Sequence, residues 1–177
     1  MAFQADQQQI SFLLGKKIYS IPRNQRKYVW KADNWKNLLE DLDFLRGTTG
    51  KAHFLGSIVL NTQTNPNNDD IEYYEIVDGQ QRITTIVMIL VVIAQIFKER
   101  GEYALFQGLL SYIQTTNINN MTSCTLNTDV HTCIMNLVSH VANRESPYNT
   151  MQLLITNCIT NKKQDDIIEE CLKYFYN

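Results

Sequence analysis

The stretch from Ile71 to Phe97 constrains the fold of this chain more than any other. A run rich in β-branched and aromatic residues, Ile71-Glu72-Tyr73-Tyr74-Glu75-Ile76-Val77, passes through Asp78-Gly79-Gln80-Gln81-Arg82 into an almost wholly apolar run from Ile83 to Phe97. The first run suits a pleated, half-buried strand, and the second a buried helix. A strand that turns at Asp-Gly straight into a helix leaves the backbone N–H groups of the first helical turn aimed beyond the strand end. Such a turn is a ready-made anion site. Asp78 followed three residues later by Gln81 also fits a capping box, which needs no ligand. The cap does not explain Arg82, because a cation at a helix N-terminus opposes the macrodipole at a cost of roughly a few tenths of a kcal/mol, and a bound anion reverses that sign. The cap and the anion loop can coexist.

The apolar run is not read as a membrane span. It falls short of the roughly 20 apolar residues that a span needs, contains Thr84, Thr85 and Gln95, and ends in Lys98-Glu99-Arg100. A soluble core helix is expected, with no membrane partner. The 177 residues are enough for one domain with a small appendage. A hydrophobic fraction of 44% and a charged fraction of 19% exclude a disordered chain. The net charge of -2 argues against a generally basic nucleic-acid binder and leaves room for a local basic face. Cys124, Cys133, Cys158 and Cys171 form no C-x-x-C pair and are expected to be reduced structural thiols of a cytoplasmic protein. Cys124, His131 and Cys133 match no common zinc spacing.

In chain order, Asp6 to Leu14 has helical character with Gly15 as its stop, and Lys17 to Ile21 alternates like a short strand that ends at Pro22. Arg23 to Trp30 then reads as a loop with three cations and two aromatics. Ala32 to Arg46 is an amphipathic helix with Trp35, Leu38, Leu39, Leu42 and Leu45 on one stripe, Asp33 as N-cap and Gly47 as stop. His53 to Leu60 is expected as a strand in which Gly56 marks a close approach of backbone or ligand. A lone histidine entering it, His53, is read as a hydrogen-bonded surface residue. Asn61 to Asp70 is a polar hairpin loop. After Gly101, the segments Glu102 to Gln114, Val130 to Ala142, Tyr148 to Cys158 and Lys163 to Tyr176 carry helical spacing, with Thr115 to Asp129 as the longest polar linker.

Three stretches share one pattern. Val77-Asp78-Gly79-Gln80-Gln81-Arg82-Ile83-Thr84-Thr85 resembles the D-G-Q-Q-R signature of the N-terminal domain of GmrSD-type modification-dependent restriction proteins. Ile21-Pro22-Arg23-Asn24-Gln25-Arg26-Lys27-Tyr28-Val29-Trp30 is similar to that family's I-P-x-x-Q-R-x-Y-x-W motif, and His53-Phe54-Leu55-Gly56-Ser57-Ile58-Val59 to its F-x-G-x-I motif. Asn24 departs from the family, which usually has an aromatic residue there, and Ile83 replaces the usual Leu at equal volume. The resemblance covers roughly Ser11 to Phe97. The resemblance implies a small mixed sheet with helices, like ParB and sulfiredoxin, over 1–100; with the helical spacing read after Gly101, the expected fold is α+β, the sheet domain being followed by a helical subdomain over 101–177, itself complete or the start of a longer helical region. The resemblance also implies nucleoside triphosphate hydrolysis and defence against phage DNA carrying modifications.

Two functions from different classes follow. In the first, the chain binds and hydrolyses a nucleoside triphosphate. Backbone N–H groups of Gly79, Gln80 and Gln81 hold the phosphates beside Gly56, Arg82 and Arg26 neutralise developing charge, and Gln25 and Gln81 orient the attacking water. Asp78 beside phosphates needs a bridging Mg2+, a proton, or a role as general base. Tyr28 and Trp30 are either packing residues or a stacking surface for a nucleobase. In the second, the same cations hold the phosphates of modified DNA, and the chain is a non-catalytic sensor. Either way, only His53, His131 and His140 are present and none lies in a resembling nuclease motif. A separate nuclease domain or subunit is the expected partner, whether the chain is a fragment or a stand-alone subunit.

Overall fold

The computed structural model describes residues 5–46, 52–67 and 69–177. Among them run, in order, α1 (Ile10–Leu14), β1 (Lys17–Ile21), α2 (Ala32–Leu45), β2 (Val59–Gln63), β3 (Glu72–Asp78), α3 (Gln80–Glu99), α4 (Tyr103–Ile113), β4 (Gln114–Thr116), β5 (Thr122–Cys124), β6 (Leu126–Thr128), α5 (Cys133–Ala142), α6 (Met151–Cys158) and α7 (Lys162–Tyr176). The architecture is α+β. A four-stranded mixed sheet has the order β2-β3-β1-β6, and β4 and β5 form a separate hairpin.

β1 is the centre of the sheet because its residues are apolar on both faces. Ile18, Tyr19 and Ile21 are all buried, and the Tyr19 hydroxyl donates to the Leu13 carbonyl of α1. β1 runs parallel to both neighbours, with Tyr19 opposite Tyr74 of β3 and Leu126 of β6. β2 runs antiparallel to β3, with an irregularity between Val59 and Leu60 just opposite the end of β3.

α3 is the core helix. Ile83, Val87, Met88 and Val91 are fully buried, and the helix packs on α4, α5 and α7. The helix is 20 residues long, so by length and composition it could cross a membrane, and the length argument made from the apolar run does not hold. Its burial inside the fold is what places it as a core element. One continuous core joins Tyr19, Ile76 and Ile83 to Leu126, Ile134, Leu137 and Leu172. Residues on both sides of position 100 therefore share a sheet and a core.

Several expected elements are shifted. The first helix loses Asp6 to Gln9, which are polar and solvent-facing, and begins at Ile10. Lys31, not Asp33, is the N-cap of α2, with the Asn34 side chain accepting from the Lys31 amide at 3.1 Å. Asp33 sits in the first turn, where its charge complements the helix dipole. Only Trp35 and Leu38 of its stripe are buried, while Leu39 and Leu42 face outward. The expected stop at Gly47 lies outside the described residues. Residues 52–58 are loop rather than strand, since β2 starts at Val59. The expected linker Thr115 to Asp129 carries three short strands, one of which completes the main sheet.

Burial also sets the behaviour of the thiols. It pushes Cys158 up to about 11 and Cys171 up to about 12 from an ordinary 9.0, and raises Cys133 and Cys124 as well. The unfolded chain therefore loses these protons first. Above pH 9 the folded state holds more protons than the unfolded state, so stability falls as pH rises. Thermal melts between pH 8 and 11 are expected to show a declining Tm above pH 9, by about 2–4 °C per kcal/mol lost. A Tm that stays level to pH 11 would contradict this assignment.

Candidate functional site at the start of α3

The three sequence motifs, spread over residues 21–85, meet at the N-terminus of α3. Gly79 is the N-cap, in the left-handed region at φ 91°. A Cβ there would lie 3.0 Å from Ile58 Cγ1 and 3.2 Å from Ile58 Cα, so the 52–58 loop can close on the turn only because residue 79 is glycine. No side chain caps the helix. The expected capping box is therefore absent: Asp78 is exposed at the end of β3, and Gln81 points to the Arg23–Trp30 loop instead.

The two glutamines of the first turn hold that loop by its backbone. Gln80 Nε2 donates to the Arg26 carbonyl at 3.0 Å. Gln81 Nε2 donates to the Lys27 carbonyl at 3.1 Å, and its Oε1 accepts from the Val29 amide at 2.8 Å. Gln25 closes the near end, with Nε2 donating to the Val77 carbonyl at 3.3 Å. Gln81 is only 3% exposed and uses both ends of its amide on the loop, so it is a clamp and not a group that orients water. Gln80 is 6% exposed, and its Oε1 has no hydrogen-bond partner. It borders a cavity of about 10 Å³ shared with Arg26, Thr84, Thr128 and His131.

Beneath the loop, Tyr28 is the anchor. Trp35 Nε1 donates to its hydroxyl at 2.8 Å, the hydroxyl donates to Thr85 Oγ1 at 2.6 Å, and Thr85 Oγ1 donates to the Gln81 carbonyl at 2.8 Å. Burial, then the neighbouring Cys171, raises the Tyr28 hydroxyl far above the ordinary tyrosine range, so it stays protonated. With 5% exposure Tyr28 presents no face to a ligand, which removes it as a stacking surface. Trp30 is half-buried and packs on the same core.

On the open side, Arg82 Nη1 donates to the Ser57 carbonyl at 3.0 Å. Its guanidinium lies flat against Gly56, where a Cβ would come within 2.7 Å of Cζ, and Gly56 has φ 98°. Gly56 thus gives the arginine its seat. Arg23, Arg26 and Lys27 are exposed around the loop; Arg23 Nε is 3.7 Å from Asp129 Oδ2, a weak surface pair. The arrangement places the uncapped start of α3, the Arg82 guanidinium and the exposed Asp78 carboxylate next to one another in the chain, with the Arg26 backbone held to the same turn by Gln80.

The chain matches the family model of the GmrSD restriction endonuclease, N-terminal domain, over residues 9–177. It belongs to that family. No curated protein matches it. In this GmrSD N-terminal domain the match runs from α1 through α7, whereas the resemblance legible in the sequence stops at Phe97. The helices after position 100 are thus part of the same family domain.

Two site-supporting residues of this GmrSD N-terminal domain were not singled out for the site from the sequence. His131 Nε2 accepts from the Tyr28 amide at 3.1 Å, and His131 Nδ1 lies 2.7 Å from Asp165 Oδ1 on α7. The one available signal was a histidine among apolar residues at a helix entry, which spacing alone ties to nothing. His53, by contrast, lies as expected near the surface, half-buried and 3.2 Å from Asp41 Oδ2.

Proposed function

We propose that this GmrSD N-terminal domain binds a nucleoside triphosphate at the start of α3 and hydrolyses it, in support of a restriction system that acts on modified phage DNA through a separate nuclease domain or subunit. The observation that carries the reading is the uncapped N-terminus of α3, with Arg82 seated beside it against Gly56 and Ser57 and the Arg26 backbone held to its first turn by Gln80. Backbone N–H groups favour an anion there, and guanidinium groups match phosphate oxygens with a planar fork. In this reading the N–H groups of Gly79, Gln80 and Gln81 hold the phosphates beside Gly56. Arg82 and Arg26 offset charge that develops in transfer, and Gln25, which is partly exposed, orients water.

Asp78 is the one exposed carboxylate at this turn. No group of three or more metal-binding side chains occurs among the described residues. That donor set fits Mg2+ carried in by nucleotide phosphates, since Mg2+ is commonly held by one or two carboxylates plus phosphate and water. Bound so, Mg2+ would supply charge neutralisation, and Asp78 would hold it. Without it, the same carboxylate serves as a base toward water.

Phosphate release from ATP, GTP, CTP and UTP with Mg2+ tests the reading. Release by the intact chain, cut about 100-fold or more in Asp78→Ala with an unchanged melting curve, is the expected result. Absence of release with all four nucleotides would overturn hydrolysis. The exposed cations Arg23, Arg26 and Lys27 favour a second reading, in which the site holds DNA phosphates without catalysis. That reading requires DNA affinity to fall steeply with salt, whereas one nucleotide in a formed pocket depends on salt far less.

A further inference from the structure

We propose that His131 is the positioning residue of the Arg23–Trp30 loop and that Asp165 on α7 fixes the tautomer in which it works. A backbone amide can only donate, so His131 Nε2, at 3.1 Å from the Tyr28 nitrogen, carries the lone pair. The ring proton is then on Nδ1 and is donated to Asp165 Oδ1 at 2.7 Å. Both residues are almost completely buried, at 4% and 5% exposure, so this is a built contact rather than a surface encounter. The backbone that carries the ring is itself held, because Thr128 Oγ1 at the end of β6 accepts from the Val130 and His131 amides at 3.2 and 3.4 Å.

α7 supplies Asp165, whose carboxylate also meets the Cys133 thiol of α5; the loop supplies Tyr28; and Arg26, Gln80, Thr84 and Thr128 line the same cavity as His131. α7 reaches the loop a second time through Cys171 Sγ, 3.7 Å from the Tyr28 hydroxyl. Tyr28 is therefore pinned at its amide from His131 and at its hydroxyl from Trp35, Thr85 and Cys171. Its neighbours Arg26, Lys27 and Val29 are the residues that Gln80 and Gln81 grip. The consequence is that a site built from positions 25 to 82 has its loop geometry set from positions 131 and 165.

The catalytic importance of the loop rests on the reading given above; the positioning role does not. In the ¹⁵N-labelled intact chain, the ring shifts of His131 should report Nδ1 protonated and Nε2 bare near neutral pH. The opposite tautomer, or a mixture of the two, overturns the proposal without any variant being made. In His131→Phe the Tyr28 amide should exchange with solvent about tenfold faster or more, with the Tyr19 amide, bonded to the Thr125 carbonyl at 2.8 Å, as the unchanged reference. His131→Gln keeps an acceptor and should recover part of the protection. Equal exchange of the Tyr28 amide in the wild-type chain and the Phe variant overturns the proposal. If the Phe variant does not fold, the wild-type tautomer decides. Phosphate release should fall in kcat with the Phe variant and recover partly with Gln. A chain that releases no phosphate removes the hydrolytic reading and leaves the tautomer and exchange results to stand alone.

Discussion

Arg82→Ala is expected to lower nucleotide hydrolysis by about 100-fold or more, the usual cost of removing one charge contact made in the transition state. Arg82 is partly exposed and bonds to the Ser57 carbonyl at 3.0 Å, and its guanidinium rests against Gly56. Loss of that bond should cost the fold only about 1 kcal/mol, so rate and stability are expected to separate cleanly. Arg82→Lys keeps the charge without the planar fork and should recover only part of the rate. Gly56→Ala should lower the rate by an independent route, because its Cβ would meet Cζ at 2.7 Å and must displace the guanidinium, but at φ 98° it also strains the backbone and is expected to lower Tm. Steady-state phosphate release beside thermal melts reads both quantities. An unchanged rate in Arg82→Ala would show that phosphate is held elsewhere.

Tyr28→Phe is expected to have the largest effect on stability of any single-oxygen deletion near the site. The phenol oxygen accepts from Trp35 and donates to Thr85, and both partners are enclosed. Its removal strands the Trp35 N–H, and one lone pair of Thr85 Oγ1, in the interior. An unsatisfied buried group costs roughly 1–3 kcal/mol, which for a domain of this size lowers Tm by about 4–8 °C at the middle of that range. Denaturant unfolding gives the same quantity independently. A loss below about 0.5 kcal/mol would mean that the hydroxyl is dispensable and that packing alone holds the loop.

The strand-turn-helix of β3 and α3 was readable because both periods are strong over many residues and a glycine marks the junction. The three motifs were readable because each has fixed spacing, and the fold brings all three to one turn. What escaped has local causes. Leu126-Asn127-Thr128 is too short to show alternation, and its place beside β1 is decided by a pairing across more than a hundred positions. Gln81 looked like a helix cap or a water-orienting group because spacing reports reach but not direction, and Lys27 and Val29 compete successfully for its amide. The stripe of α2 overstated burial, since helical spacing shows which side chains share a face and not whether a neighbour covers it. Leu39 and Leu42 are about two-fifths exposed, at 39% and 40%. The pairing of His131 with Asp165 joins two segments with no common pattern, and only the packing of α7 brings them together.

The central place of β1 governs the order in which the molecule can assemble. Its neighbours are parallel strands, reached only after long excursions of chain, with Ile21 opposite Thr128. Loop closure over such distances is slow, and sheets built this way form late. On a ribosome, β1 leaves the tunnel early and waits with one edge unpaired until β6 has followed. During that wait the open edge is the part of the nascent chain most exposed to pairing with the wrong strand. Synthesis rate and chaperone access between residues 21 and 128 should therefore decide yield more than the final stability does.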